Sequence, residues 1–148
     1  MPGMALLLSL LLSLAATWPV AGPHVTRRFD PPPQPWQAGH RGVDLEAPPG
    51  TPVRAAAAGT IVFIGRIAGR GVVSIAHPGG LRTTYEPVSA APLHIGDPVP
   101  AGEQIGTLSP GHLGCPSQAC LHWGLRRGAD YLDPLTLLGA GRVRLLPL

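Results

Sequence analysis

The stretch "GTPVRAAAAGTIVFIGRIAGRGVVSIAHPGGLRTTYEPV", Gly50 to Val88, decides the fold class. Short runs of Val, Ile and Thr ("TPVRAA", "GTIVFIG", "GVVSIAH", "LRTTYEPV") are separated by turn signals such as His77-Pro78-Gly79-Gly80, which is the pattern of close-spaced strands. Downstream, "DPVPAGEQIGTL" and "CLHWGLR" continue it, so about six or seven strands are expected. A sustained helical period is absent except at Asp133–Gly141, "DPLTLLGAG", where a proline in the first turn and a glycine after the last leucine suit one short helix. No repeat of fixed period is present. The expected architecture is all-β, a compact antiparallel sandwich or barrel-like domain with one short C-terminal helix.

A chain of 148 residues with a hydrophobic share of 45% has room for one domain with a real core. Its 20 glycines and 19 prolines punctuate strands rather than form a low-complexity tract. All 11 basic residues are arginine, and the net charge of +3 is scattered along the sequence rather than gathered in a stripe with aromatics. Nucleic-acid binding is therefore not expected, whereas an anionic polymer such as a bacterial wall remains compatible.

The N-terminal "MPGMALLLSLLLSLAATWPVAG" has an apolar run from Ala5 to about Trp18 followed by small residues, the order of a signal peptide. Residues 1–21 are expected to form it, with cleavage near Ala21; an uncleaved anchor is the alternative, although the run is short for a bilayer core of about 30 Å. The chain is then expected outside the cytoplasm, where disulfides persist. Residues 22–39, rich in proline, read as an extended arm, residues 40–139 as the domain proper and residues 140–148 as a peripheral tail.

In "GHRGVDLEAPPGTPV", His40 and Asp44 lie on extended chain, where alternate positions share a face and Gly42 leaves the space between them open. His122 can add a third ligand from the late strand. Two imidazole nitrogens, one carboxylate oxygen and one open position form a catalytic zinc pattern. Spacing alone leaves the alternative that these side chains are merely hydrogen-bonded.

The ordered set "GHRGVDL", "GTPVRAAAAGTIVFIG", "GVVSIAHPGGLRTTYE", "GDPVPAGEQIGTL" and "CLHWGL" resembles the LytM and lysostaphin type of zinc metallopeptidase, from about Arg27 to Leu138. The resemblance implies Zn2+ held by His40, Asp44 and His122, a groove for wall peptides, and cleavage of peptide bonds in bacterial peptidoglycan by a secreted, wall-associated monomer. It also exposes two departures. The late His-x-His motif reads Cys120-Leu121-His122, and a second assisting histidine falls at Pro87. Loss of general acid-base help costs about 100- to 10,000-fold in rate. Two substitutes are candidates for the catalytic role: Glu86, which strict alternation turns away from the face of the missing histidine, and His112 in a nearby loop. The alternative function is a degenerate domain that binds wall peptides or regulates a partner hydrolase. His24, His77 and His94 read as structural or solvated. A lipoyl or biotinyl carrier, which has similar strands, is excluded because the chain contains no lysine to modify.

Cys115 and Cys120, the only two cysteines, enclose the turn "PSQA" and are expected to form a disulfide in an oxidising compartment. Cys120 as a fourth zinc ligand, which would close the site, and free thiols including a Cys120 nucleophile are the rivals.

Overall fold

A computed structural model describes residues 15–139, so the first part of the expected leader and the 140–148 tail lie outside the described residues. The described chain forms β1 (His24–Arg27), β2 (Gly42–Glu46), β3 (Pro52–Arg54), β4 (Gly59–Ile67), β5 (Arg70–Ala76), β6 (Leu81–Glu86), β7 (Val88–Ala90), β8 (Pro98–Val99), β9 (Gln104–Leu108), β10 (Cys120–Arg127) and β11 (Asp130–Leu132), then helix α1 (Leu135–Gly139). The all-β expectation and the short helix are borne out. Eleven strands replace the expected six or seven because several have only two or three residues, too few to show an alternating period.

All pairings are antiparallel. One sheet of eight strands runs in the order β1-β2-β10-β6-β5-β4-β8, with β11 also paired to β10; a three-stranded sheet runs β3-β9-β7. Burial sets the face of each strand. Val43 and Leu45 on β2, Leu121, Trp123 and Leu125 on β10, Thr83 and Tyr85 on β6, and Val73 and Ile75 on β5 are all buried against the core. The alternate positions, Asp44, His122, Thr84 and Glu86, must then lie on the opposite face. A slip of one residue in β10 would exchange Trp123 for His122 in the core, so hydrophobic burial is what holds the site's register.

Beneath the sheet a buried polar chain joins three segments, the 56–58 stretch, His77 and β6. The His77 Nδ1–H donates to the Ala58 carbonyl at 2.7 Å, and Thr83 Oγ1 lies 2.7 Å from His77 Nε2 and 2.8 Å from the Tyr85 hydroxyl, which accepts from the Ala56 N–H at 2.9 Å. The consistent direction of donation runs from Ala56 to Tyr85 to Thr83 to a neutral His77. Burial lowers the His77 pKa, partly opposed by its bond to Ala58. Burial also pushes the Tyr85 phenol up to about 12.

The N-terminal segment bears on the leader. Ala16 bridges Ala57, the Thr17 N–H donates to Ala56 O at 2.8 Å, and the Arg54 N–H donates to Pro19 O at 2.8 Å. Val20 is 1% exposed within the core, and the Trp18 ring lies 6.2 Å from that of Trp123. A cut near Ala21 would therefore strip two packed side chains from the domain. The proline-rich 22–39 segment contributes β1 to the sheet edge and returns through a bridge between Asp30 and His40.

Candidate metal centre

Asp44, His122 and Glu86 form one row across three strands: His122 is paired directly with Asp44 of β2 on one side and with Glu86 of β6 on the other. Directly opposed residues share a sheet face, which brings residues 78 apart in sequence into contact. His122 Nδ1 and His40 Nε2 each lie 3.0 Å from the same oxygen, Asp44 Oδ1. The two imidazole nitrogens and the carboxylate oxygen all fall within 4.8 Å of one another, and Asp44 is only 1% exposed.

The donor chemistry fits a cation. His40 donates its Nδ1–H to the Arg28 carbonyl at 2.9 Å, so a neutral ring turns the lone pair of Nε2 toward Asp44. Two lone pairs 3.0 Å apart repel unless a proton or a metal ion lies at that point. Gly42 keeps the ring of His122 in place: a Cβ there would stand 2.5 Å from the Trp123 carbonyl and 2.8 Å from His122 Nε2. Burial pushes the Asp44 carboxyl up, but the imidazoles of His112 and His122 and the charges of His112 and His40 outweigh it and hold it well below the usual carboxylate range.

His112 also reaches the cluster. Its Nε2 lies buried 3.0 Å from Asp44 Oδ2, within ion-pair distance of the carboxylate but off the line of a well-aligned hydrogen bond. The loop that carries it is tied by the Ser109 N–H to Pro87 O at 3.0 Å and by the Gly111 N–H to Gln118 O at 3.3 Å. Cys115 and Cys120 form a disulfide that anchors this loop to the first residue of β10, and neither cysteine is free. Cys120 is thus not a fourth zinc ligand or a nucleophile in this state: its sulfur is bonded to Cys115.

Glu86 differs from expectation in its direction. Because Thr83 and Tyr85 face the core, Glu86 lies on the same face as His122, not away from it. Its carboxylate is engaged by Arg70 at 3.5 Å. His77 is buried in the polar chain described above, while His24 and His94 are on the surface beside Glu46 and Asp97.

The arginines are less scattered than their spacing implies. A groove of about 310 Å³ runs from His122 and Glu86 past Gly124 to Arg41, Arg82 and Arg126. These residues are far apart in sequence and meet only through strand pairing, so no linear signal marks them beyond their positions on alternating strands.

The two-sheet antiparallel fold, with a His-x-x-x-Asp pair and a late-strand histidine around one point, is that of a LytM-type domain. The chain belongs to peptidase family M23, whose profile matches residues 38–134. It is 54% identical over 136 residues to the uncharacterised protein Rv2891 of Mycobacterium tuberculosis, covering 88% of this chain and 54% of that protein. It is 39% identical over 99 residues to the DD-carboxypeptidase/endopeptidase Mpg of Neisseria meningitidis, covering 66% of this chain and 22% of that protein. Lysostaphin from Staphylococcus simulans superposes with a TM-score of 0.71 at 25% identity, covering 88% of this chain and 56% of that chain. The chain spans about half the length of its mycobacterial relative and less of the neisserial one.

Proposed function

We propose that this chain is an exported zinc-dependent endopeptidase acting on the peptides of bacterial peptidoglycan, with His40, Asp44 and His122 as metal ligands and His112 in place of the missing assisting histidines. The observation that carries this reading is the buried Nε2 of His112, brought by its loop to 3.0 Å from the Asp44 carboxylate that His40 and His122 share. Membership of family M23 and the similarity to Mpg and lysostaphin support the substrate class. The disulfide favours an oxidising compartment.

Zinc at this point would supply Lewis acidity toward water and a peptide carbonyl. The chain's own residues do the rest. Arg28 fixes the ring of His40 through Nδ1, and β2–β10 pairing fixes His122 against Asp44. His112 is the imidazole placed to accept a proton from the attacking water and return it to the leaving amine. Its position on a disulfide-anchored loop lets it substitute for a residue that the β10 strand no longer supplies. Glu86, held by Arg70, lines the groove and positions substrate rather than moving protons.

A second reading follows from the same nitrogen. If His112 binds the metal as a fourth protein ligand, the site is closed and structural, and the groove binds wall peptides or serves a partner hydrolase without cutting. His112→Ala separates the two. The native chain is expected to bind one zinc and release peptides from purified peptidoglycan. On the endopeptidase reading His112→Ala keeps zinc but loses about 100- to 10,000-fold in rate; on the second it loses zinc affinity. Absence of zinc from the native chain and no effect of His40→Ala on metal content would overturn the metal site itself.

A further inference from the structure

At the end of the groove away from Asp44, two arginines occupy directly opposed positions on neighbouring strands. Arg126 on β10 is paired directly with Arg82 on β6, on the face that carries His122 and Glu86. Like charges in directly opposed positions are destabilising. Burial, and after it the charge of Arg126, lowers the Arg82 pKa. Among the described residues neither side chain forms an ion pair, and the Arg82 Nε is buried with no partner. The acid that shares their groove, Glu86, is engaged by Arg70. A third arginine, Arg41, is held in the same groove by the Pro35 carbonyl at 2.6 Å and lies 5.8 Å from the centre of the Tyr131 ring.

The floor between the two ends is bare. Gly124 lies midway between His122 and Arg126, and a Cβ there would meet only the Arg41 carbonyl, at 3.6 Å. At about 3.3 Å per residue, four residues along β10 place the Arg126 backbone roughly 13 Å from that of His122. An extended peptide covers that span in about four residues, and the reach of the arginine side chains shortens it to two or three.

We propose that Arg82 and Arg126 form a carboxylate-recognition subsite, so that the groove takes an extended acidic peptide whose free carboxylate lies about two to four residues from the bond held beside Asp44. Planar guanidinium forks grip carboxylates through paired, charge-assisted hydrogen bonds, and two arginines at directly opposed positions on one face suit a single anion. The direction along the groove rests on the endopeptidase reading, whereas carboxylate recognition itself does not. In a wall stem peptide the anion is either the C-terminal carboxylate or one of the internal carboxylates of the glutamyl and diamino acid residues.

A synthetic stem tetrapeptide, fluorescently labelled at its N-terminus, distinguishes these sources in three forms: all carboxylates free, the C-terminus alone amidated, or the internal carboxylates alone amidated. Binding to the zinc-loaded full chain is read by anisotropy, with zinc content and thermal unfolding followed alongside. One of the two amidations is expected to weaken binding by about 10- to 100-fold. Arg82→Gln and Arg126→Gln should weaken the free form to the level of the amidated one while leaving the amidated form and the zinc content unchanged. Arg82→Lys, which keeps the charge and loses the fork, should retain part of the discrimination. Equal affinity of the native chain for all three forms, no binding of any form, or discrimination that survives both glutamine variants overturns the proposal. Failure to hydrolyse peptidoglycan alongside arginine-dependent discrimination would defeat the endopeptidase reading and leave this subsite standing.

Discussion

Removing the Cys115–Cys120 link tests how His112 is kept beside Asp44 in the proposed metal centre. The bond closes a short ring, with a sequence separation of 5, and ties the His112 loop to β10 two residues before His122. In the chain-entropy treatment a ring of this size contributes about 2 kcal/mol. For a domain of this length that corresponds to a fall in Tm of roughly 6–10 °C. The functional effect is separable from the stability effect. His40, Asp44 and His122 sit on or next to β2 and β10, whose pairing does not depend on the loop. Once the tether is gone, the loop keeps backbone bonds at 3.0 Å to Pro87 and 3.3 Å to Gln118, and re-fixing even one freed residue costs about 1–2 kcal/mol. The engaged His112 geometry should therefore fall in population by about 10-fold or more. The assay compares the native chain, the native chain under reductant, and the Cys115→Ala/Cys120→Ala double variant. Tm, zinc stoichiometry and peptide release from peptidoglycan are read for each. Retained zinc with a lowered Tm and a rate reduced about 10-fold or more is expected. A reduced chain that keeps its full rate would show that the disulfide does not hold His112 in its working position, and the reasoning would fail.

Gly42→Ala should be among the most damaging single substitutions, because the added methyl meets the rigid Trp123 backbone at 2.5 Å and can be relieved only by parting β2 from β10; a loss of at least 1–3 kcal/mol in denaturant unfolding, with weakened zinc binding, is expected. Chains beginning at Ala15 and at Gly22 should differ by roughly 3–5 kcal/mol in stability, since the shorter one lacks the buried Val20 and the Trp18 ring against Trp123; equal unfolding midpoints would refute the packing role of this segment. His77, whose folded pKa is lowered by burial, binds its proton more readily in the unfolded chain. Its contribution to stability is therefore complete above the ordinary value of 6.5 and lost as pH falls below it, at up to about 1.4 kcal/mol per pH unit. His77→Gln should flatten that part of the denaturation profile, and an unaltered slope between native and variant would contradict the neutral assignment.

The readability of the sequence divides along one physical line. Alternation of apolar residues and turn chemistry act over neighbouring residues, so the β class, the C-terminal helix and the extended chain carrying His40 and Asp44 were legible from Gly50–Val88 and its flanks. The Cys115–Cys120 pair was legible for the same reason, being closed by one local turn. Short strands such as β8 and β11 left no period to detect. Glu86 was misassigned in direction because neighbouring positions reveal which residues alternate but not which set faces the site; the burial of Thr83 and Tyr85 makes that choice.

Tertiary structure alone decided the remainder. Pairing of β10 with both β2 and β6 puts Asp44, His122 and Glu86 in one row, and a disulfide-tethered loop from outside that row delivers His112. The same pairing brings arginines that look dispersed along the chain to directly opposed positions on one sheet face, beside the bare Gly124. The sequence by itself determined which side chains were available and which local segments would be strands. Which of them meet was determined by the register that buries Trp123, Leu121, Val43 and Leu45, because core packing is a property of the whole sheet and fixes the opposite face as its consequence.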